Sequence, residues 1–198
     1  MPSSSFRLTP EIAAARADMS LRPPGSEQLM PSPTRFFNDD LKVDAGGAGL
    51  FSCARDYSQV LSALLKTPSP LLKPESLDIL FTPQLGDASR ETLFQTLFAK
   101  YPGNEEGLIG NMFHGGTLPM NTRVSYSCAG IIATEGVPGA RGSNAVAWGG
   151  LPNLIWCVDR DKGRAIMYAS QLLPPGDAKS GAAFAVFEKA VFGGKLKL

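Results

Sequence analysis

The amino-acid sequence predicts an α+β fold, with helices first, an antiparallel sheet after them and one helix near the end. Apolar residues recur at helical spacing up to about residue 100, and short apolar stretches between Gly and Pro breaks follow. An amphipathic helical pattern then returns. The 198 residues suffice for one hydrophobic core. A single domain is therefore predicted, mainly helical with loops over 1–100 and built of antiparallel strands plus a helix over 101–198.

The first helix is predicted to begin after Thr9. The Thr9 hydroxyl can accept hydrogen bonds from free backbone amides, and Pro10 suits the first helical position. This helix is expected to run to about Met19. The stretch 21–33 is rich in Pro, Gly and Ser, so we predict a loop there rather than part of the core.

Three more helices are predicted before residue 101. Gly46–Gly49 lacks the residues of a phosphate-binding loop and is interpreted as a tight turn, after which Ser52 would cap a helix to about Lys66. Pro74 would open a short helix, and 88–100 would form the next. Their apolar stripes are, in order, Leu50, Tyr57, Val60, Leu61, Leu64 and Leu65; Leu77, Ile79 and Leu80; and Leu93, Phe94, Leu97 and Phe98.

Five strands and a final helix are predicted in the second half. The hairpin signal at 160–163 places Gly163 where a positive φ is needed. The helix from about Ala178 to Phe192 would cover one face of the sheet, because such a sheet cannot leave its apolar face in water. The predicted strands are Leu108–Phe113, Val124–Thr134, Ala145–Trp148, Leu154–Asp159 and Ala165–Gln171, and the helix ridge is Phe184, Phe187 and Val191.

Composition excludes several partners. Hydrophobic residues make up 43% of the chain and charged residues 19%, with a net charge of +1. No basic block indicates nucleic acid, and no apolar run is long enough to span a membrane. The first residues have no apolar core of a secretory signal, so a cytoplasmic protein is expected.

The cysteines and the histidine predict neither a metal site nor a cofactor. Cys53, Cys128 and Cys157 are far apart in sequence, and His114 is the only histidine, whereas zinc needs several close ligands. We interpret the cysteines as reduced thiols. His114 precedes two glycines, which is similar to a lipase oxyanion loop, but the chain has no G-x-S-x-G elbow. A loop histidine is favoured, and a partner in the fold stays open. The segment 136–142 is predicted to be a flexible hairpin loop.

The stretch from Trp148 to Asn153, Trp-Gly-Gly-Leu-Pro-Asn, is the most informative. Two glycines at a strand end let a ligand or another backbone approach closely. In acyl transfer, this would let a backbone N–H point at the developing oxyanion. A simple strand-to-turn break beside a packed tryptophan is the alternative, and these residues alone favour that break, since glycine turns are common.

Three stretches together resemble the class C β-lactamase-like serine esterases. Residues 46–57 resemble the glycine turn and following helix of that family, and 156–176 resemble its terminal hairpin. Residues 148–153 resemble its third motif, with Trp-Gly-Gly in place of Lys-Thr-Gly. The likeness is strongest to fungal transesterases that move acyl chains in polyketide pathways, and residues 6–11 are similar to a segment in the middle of those proteins.

This resemblance implies a partial β-lactamase/transpeptidase-like fold and a small-molecule acyl ester or thioester as substrate. Trp148, Gly149 and Gly150 would lie beside the acyl group, and Leu151 would be a backbone donor to the oxyanion. A complete member also contributes an amino-terminal strand and helix to the same sheet. A chain without them is expected to expose an apolar sheet edge or face.

The chain departs from the family pattern at its catalytic residues. The family needs a nucleophilic Ser followed three residues later by Lys, and none of the nine lysines has Ser or Thr three positions before it. The family's catalytic Tyr precedes the glycine turn, and no tyrosine precedes Gly46. We therefore expect no catalytic residue here and a truncated, inactive protein, with the missing part upstream or in a partner chain. A non-catalytic remnant or binding module is the alternative, and an unrelated α+β binding domain is a third.

Overall fold

A computed structural model describes residues 1–33, 39, 41–100, 108–111, 116–120 and 122–194, without the side chains of 98–100, 108–111 and 117. The helices of the described residues are α1 (Pro10–Ala15), α2 (Ala54–Leu65), α3 (Pro74–Phe81), α4 (Asp87–Lys100) and α5 (Ala178–Phe192). The strands are β1 (Ser20–Leu21), β2 (Met30–Pro31), β3 (Leu108–Asn111), β4 (Gly116–Pro119), β5 (Val124–Tyr126), β6 (Ile131–Ala133), β7 (Val146–Gly150), β8 (Leu154–Asp159), β9 (Arg164–Ala169) and β10 (Leu172–Leu173). The predicted α+β class is confirmed.

The main sheet has five strands in the order β5-β6-β7-β8-β9, and every neighbouring pair is antiparallel. The predicted meander is therefore confirmed from residue 124 onwards, whereas the strand predicted at 108–113 belongs to a separate sheet. Two smaller sheets accompany it. β3 pairs with β4, and β1 lies between β10 and β2, parallel to β10.

Helices cover both faces of the main sheet. The first face carries the larger core cluster, in which Phe184, Val191 and Phe192 of α5 pack on Ile131, Ala147, Cys157 and Ile166 of the strands. The second face carries a smaller cluster, in which Leu61 of α2 and Leu77 and Phe81 of α3 pack on Ile132, Val146 and Val158. The cover by α5 was predicted. The cover of the second face by α2 and α3 was not.

The helix starts are explained by local capping. The Thr9 hydroxyl accepts a hydrogen bond from the N–H of Ile12, as predicted, but α1 ends at Ala15 because Arg16 is extended. Ser52 is not a cap, which corrects the prediction. Cys53 holds that position without a side-chain bond, and the Ser52 hydroxyl lies 2.8 Å from that of Ser4.

Two apolar stripes contain a residue that faces solvent. Leu50 is 38% exposed and lies outside α2, and Ile79 in α3 is 51% exposed. Both predicted core positions are therefore wrong. The remaining stripe residues of α3, Leu77 and Leu80, do pack on the second face. The Gly46–Gly49 segment is the predicted tight turn, closed by the Gly49 N–H on the carbonyl of Ala45 at 2.7 Å.

The stretch predicted as one strand over 124–134 is two strands, β5 and β6. The Ser127 hydroxyl accepts hydrogen bonds from the N–H groups of Ala129 and Gly130, at 3.1 and 3.2 Å, and so closes a tight turn. Side-chain bonds of this kind compete with the strand ladder. β4 was not predicted, and residues 112–113, together with His114, lie outside the described residues.

Other boundaries are close to the predictions. β8 and α5 have the predicted bounds, and Gly163 has a φ of 63° in the predicted hairpin. The predicted strand 165–171 ends early because Gln171 has a φ of 50°. The loop predicted over 21–33 contains β2 and part of β1, which correct it locally.

The main sheet has one edge at β9, which pairs with β8 and with no other described strand. The neighbouring α5 exposes Val186 by 71% of its surface. Described helices cover both faces of the sheet, so the expected exposed apolar face is not found among the described residues, and the β9 edge is the one left without a described partner strand next to α5.

Candidate functional site

The candidate site lies at the end of β7, where the strand runs past its neighbour β6. The last β6–β7 pair is Ile131 with Ala147. The β7–β8 ladder continues for three more pairs, to Gly150 with Leu154. In this segment, Trp148–Gly150, β7 pairs with β8 on one side, and no described strand continues the ladder on the other. This segment is named the β7 edge below.

The β5–β6 turn limits the β7 edge. A side-chain carbon at Gly130 would lie 2.4 Å from the carbonyl oxygen of Ala147. No residue other than glycine can bring the turn this close to β7. The turn therefore ends β6 directly before Trp148 and leaves the edge beyond it uncovered by β6.

An aromatic pair stands beside the edge. The ring centroids of Tyr126 and Trp148 are 5.8 Å apart at an interplanar angle of 63°, an edge-to-face contact. Both side chains are half-buried. Burial raises the pKa of Tyr126 above its ordinary value, so its phenol stays neutral at physiological pH. The pair supplies an apolar wall with one polar hydroxyl.

Gly150 has no packing reason to be glycine. A side-chain carbon there would meet Leu154 at 3.5 Å, an ordinary contact. Trp148, Gly149, Gly150 and Leu151 are all half-buried rather than closed off. The predicted site residues are thus consecutive and partly exposed along one edge. The groups they can offer a ligand are mainly backbone N–H donors.

The buried thiol on the strand next to the edge is not an available nucleophile. Cys157 pairs with Ala147 across the sheet, but it is fully buried, and burial raises the pKa of its thiol to about 12. A thiol in that state is not a nucleophile at neutral pH. The described residues contain no group of His, Cys, Asp and Glu that could hold a metal ion. None of their helices is both long and apolar enough to cross a bilayer.

Sequence reasoning missed two residues of this region. Tyr126 contacts Trp148 although 22 positions separate them in the sequence, and only the turn at Gly130 makes that contact possible. Asn153 was noted merely as the end of the motif. Its position directly before an apolar stretch was the available signal, since asparagine favours the left-handed conformation that ends many hairpin loops.

Comparison with known proteins points to one group. No protein-family model matches the chain. The chain is 31% identical over 185 residues to the monacolin J acid methylbutanoyltransferase of Aspergillus terreus, a match that covers 92% of this chain and 43% of that enzyme. It is 32% identical over 132 residues to the lovastatin esterase of Penicillium rubens, covering 67% of this chain and 31% of the esterase.

Solved structures agree with the sequence matches. A simvastatin synthase variant from Aspergillus terreus superposes with a TM-score of 0.82 at 31% identity, covering 96% of this chain and 45% of that chain. EstCE1, a hydrolase with promiscuous acyltransferase activity, superposes with a TM-score of 0.63 at 12% identity, which shows the fold alone.

Fold and sequence together define a protein of the β-lactamase-like class. Within that class, the chain belongs to the family of acyltransferases and esterases that includes the methylbutanoyltransferase, and it matches a carboxy-terminal portion of them. The chain spans less than half the length of the curated relatives it matches.

Proposed function

We propose that this chain forms one wall of the acyl-binding site of a serine acyltransferase or esterase. The observation that supports the proposal is the β7 edge, where no described strand pairs with the Gly149 and Gly150 backbone on the side away from β8. In the proposed complex, a small-molecule acyl ester or thioester lies along this edge, with Trp148 beside the acyl chain. The N–H of Leu151 donates to the oxyanion, and Gly150 lets the carbonyl approach.

The proposed reaction is ester cleavage or acyl transfer through an acyl-serine. A serine hydroxyl attacks the acyl carbonyl, negative charge develops on the carbonyl oxygen, and the alcohol or thiol leaves. Water or a second alcohol then takes the acyl group. Preorganised N–H donors lower the barrier because they meet the charge without reorganising. Stabilising this charge is the part of the reaction that we assign to this chain.

The nucleophile must come from residues that the chain does not carry. The Ser-x-x-Lys pair is missing from the sequence, and loss of nucleophile and base costs several orders of magnitude in rate. We propose that the pair is supplied upstream in a longer protein or by a partner chain. The edge at β9 and the exposed Val186 are the surfaces to which that part would attach.

A role in secondary metabolism and a cytoplasmic location belong to the proposed function. The relatives' names favour a role in secondary metabolism. The described cysteines are free thiols, as is usual in a reducing compartment, which supports a cytoplasmic location.

The first test uses the purified chain with a short p-nitrophenyl ester and a fluorophosphonate serine probe. We expect neither turnover nor labelling. Turnover with a labelled serine would contradict the proposal and define another active site, with His114 the first candidate for its base.

The second test joins the chain to the part of the Aspergillus terreus methylbutanoyltransferase that it does not match. We expect turnover, with the label on a serine of the added part. Leu151→Pro removes the proposed donor N–H and should lower kcat by about 10²- to 10³-fold. Leu151→Ala keeps that N–H and is the matched control.

A non-catalytic acyl-binding module is the second candidate, because the half-buried Tyr126–Trp148 wall is intact in a chain without the nucleophile. In that case, a butyryl thioester would change the tryptophan fluorescence of the chain saturably. The joined protein would then bind the thioester and show no turnover.

A further inference from the structure

Asn153 adopts a conformation in which glycine would be the simplest residue. The pair Gly150–Leu154 leaves 151–153 as a three-residue loop between β7 and β8. Asn153 ends this loop with a φ of 55°, in the left-handed region that such loops need at that position. Glycine reaches this region without steric cost. Loop closure alone therefore does not explain the asparagine side chain.

The Asn153 amide is buried and makes three hydrogen bonds to one segment. Its Nδ2 donates to the carbonyls of Leu172 and Pro174, at 2.7 and 2.9 Å. Its Oδ1 accepts from the N–H of Gly176 at 2.9 Å. The side chain is only 5% exposed. Both ends of the amide are thus used to tie the loop to residues 172–176.

The backbone of the same loop is held by the same part of the chain. The Leu172 N–H donates to the carbonyl of Pro152 at 3.1 Å. The Ser170 hydroxyl donates to the carbonyls of Pro152 and Asn153, at 2.9 and 3.2 Å. Leu172 itself belongs to β10, which pairs with β1. A residue in a sparsely populated backbone conformation persists where many contacts hold it there. The hydrogen bonds to 170–176 hold Asn153 in this way.

We infer that Asn153 is a positioning residue that fixes the direction of the Leu151 N–H at the β7 edge. The role of Leu151 rests on the proposed function. Asn153 lies two residues beyond that N–H and acts through the loop, because Pro152 between them has no N–H of its own to anchor it. An oxyanion donor works only when it is held close to the productive geometry. Without the three amide bonds, the loop can turn its N–H away.

The test on the chain itself uses ¹H–¹⁵N spectra with ¹⁵N-labelled glycine and leucine. Asn153→Gly keeps the left-handed conformation and removes the amide, and Asn153→Asp replaces both donors by an oxygen that faces two carbonyls. We expect the Gly150 and Leu151 amide signals to shift or broaden in both variants. Ser170→Ala is a milder variant that serves if the Asn153 variants fail to fold. It removes only the hydroxyl contacts to the Pro152 and Asn153 carbonyls, so we expect a smaller change at the same two signals.

The matched control is Asn144→Gly, because the Asn144 amide makes one exposed bond, to Asp161 at 2.9 Å. This control should leave the Gly150 and Leu151 signals unchanged. Unchanged signals in folded Asn153→Gly, or equal changes in the control, would overturn the inference.

The joined protein described above adds a kinetic readout. Asn153→Gly should lower kcat about ten-fold and leave KM within about two-fold, since a displaced donor weakens transition-state stabilisation more than binding. A rise in KM at unchanged kcat would overturn the positioning role. An inactive joined protein would count against the proposed function alone, because the spectra of the chain decide independently whether Asn153 holds the loop.

Discussion

The two ends of β7 carry glycine-rich loops with opposite surroundings. Before the strand, the loop 136–142 is anchored in the protein by buried Val137, Ala140 and Arg141, and only its tip at 138–139 is exposed. At the far end of the strand, the segment 148–151 is half-buried, and no described strand pairs with β7 there on the side away from β8. The prediction of a flexible loop for 136–142 is corrected by this burial. Similar glycine content thus serves close packing at one end and accessibility at the other.

The loop 136–142, which forms the closed end of β7, is held in place by buried charges. Arg141 and Glu188 form an ion pair with side chains 1% and 2% exposed, which ties the loop to α5. Asp159 accepts a hydrogen bond from the Gly142 N–H at 2.7 Å. Burial is the largest single influence and would by itself lower the pKa of Arg141, but the charge and hydrogen bond of Glu188, together with nearby groups that include Asp159, outweigh burial and raise that pKa. The guanidinium therefore stays charged, and the loop cannot detach without leaving a charge unpaired.

The largest expected effect comes from breaking this ion pair. Glu188→Ala removes the carboxylate that forms the buried ion pair with Arg141, which should lower the free energy of unfolding by about 3–5 kcal/mol. Urea denaturation followed by circular dichroism measures it. Glu188→Gln keeps a hydrogen-bond acceptor and should cost less. A loss below about 1 kcal/mol for Glu188→Ala would mean that the closed end is not held by the pair.

A smaller loss is expected at the packed glycine that borders the β7 edge. Gly130→Ala places a carbon against the carbonyl of Ala147 at 2.4 Å. That oxygen belongs to the backbone and cannot move aside easily, so the expected loss is about 1–3 kcal/mol. Thermal unfolding of the variant and the parent chain measures this loss. An unchanged melting temperature would show that β6 and β7 can separate here without cost.

Gly150→Ala should leave stability nearly unchanged and lower ester turnover. The added carbon meets Leu154 at an ordinary contact distance, so stability should change by no more than about 0.5 kcal/mol. The joined protein should nevertheless lose most of its ester turnover, because the methyl group occupies the proposed carbonyl path. Measuring both quantities on one variant separates packing from function. Full turnover would argue against placing the acyl group at this edge.

The smallest expected effect is a difference in reactivity among the three cysteines. Cys53 and Cys128 are exposed, and Cys157 is buried at the closed end. Iodoacetamide at pH 8 should modify the first two in the folded chain and leave Cys157, whose thiol pKa is raised to about 12 by burial. A raised pKa keeps the unreactive thiol form as pH increases. Peptide mass spectrometry identifies the modified cysteines. Modification of Cys157 in the folded chain would contradict this assignment.

Sequence patterns alone predicted elements whose cause is local. α5 and β8 were predicted with correct bounds because helical and strand periodicity are encoded in adjacent residues. The Gly163 hairpin and the Thr9 cap follow equally local rules. The Trp-Gly-Gly stretch was singled out for the same reason, and its resemblance to a known motif named the family that the comparisons confirm.

Tertiary structure decided what depends on contacts distant in sequence. The break in 124–134 follows from the turn at Ser127 and from the approach of Gly130 to Ala147. The second helical cover required α2 and α3 to reach a sheet built of strands that come much later in the chain. The β7 edge exists only because the β6–β7 ladder ends at the pair Ile131–Ala147. Periodicity reports which face of an element is apolar, but register and packing partners decide which backbone groups remain accessible.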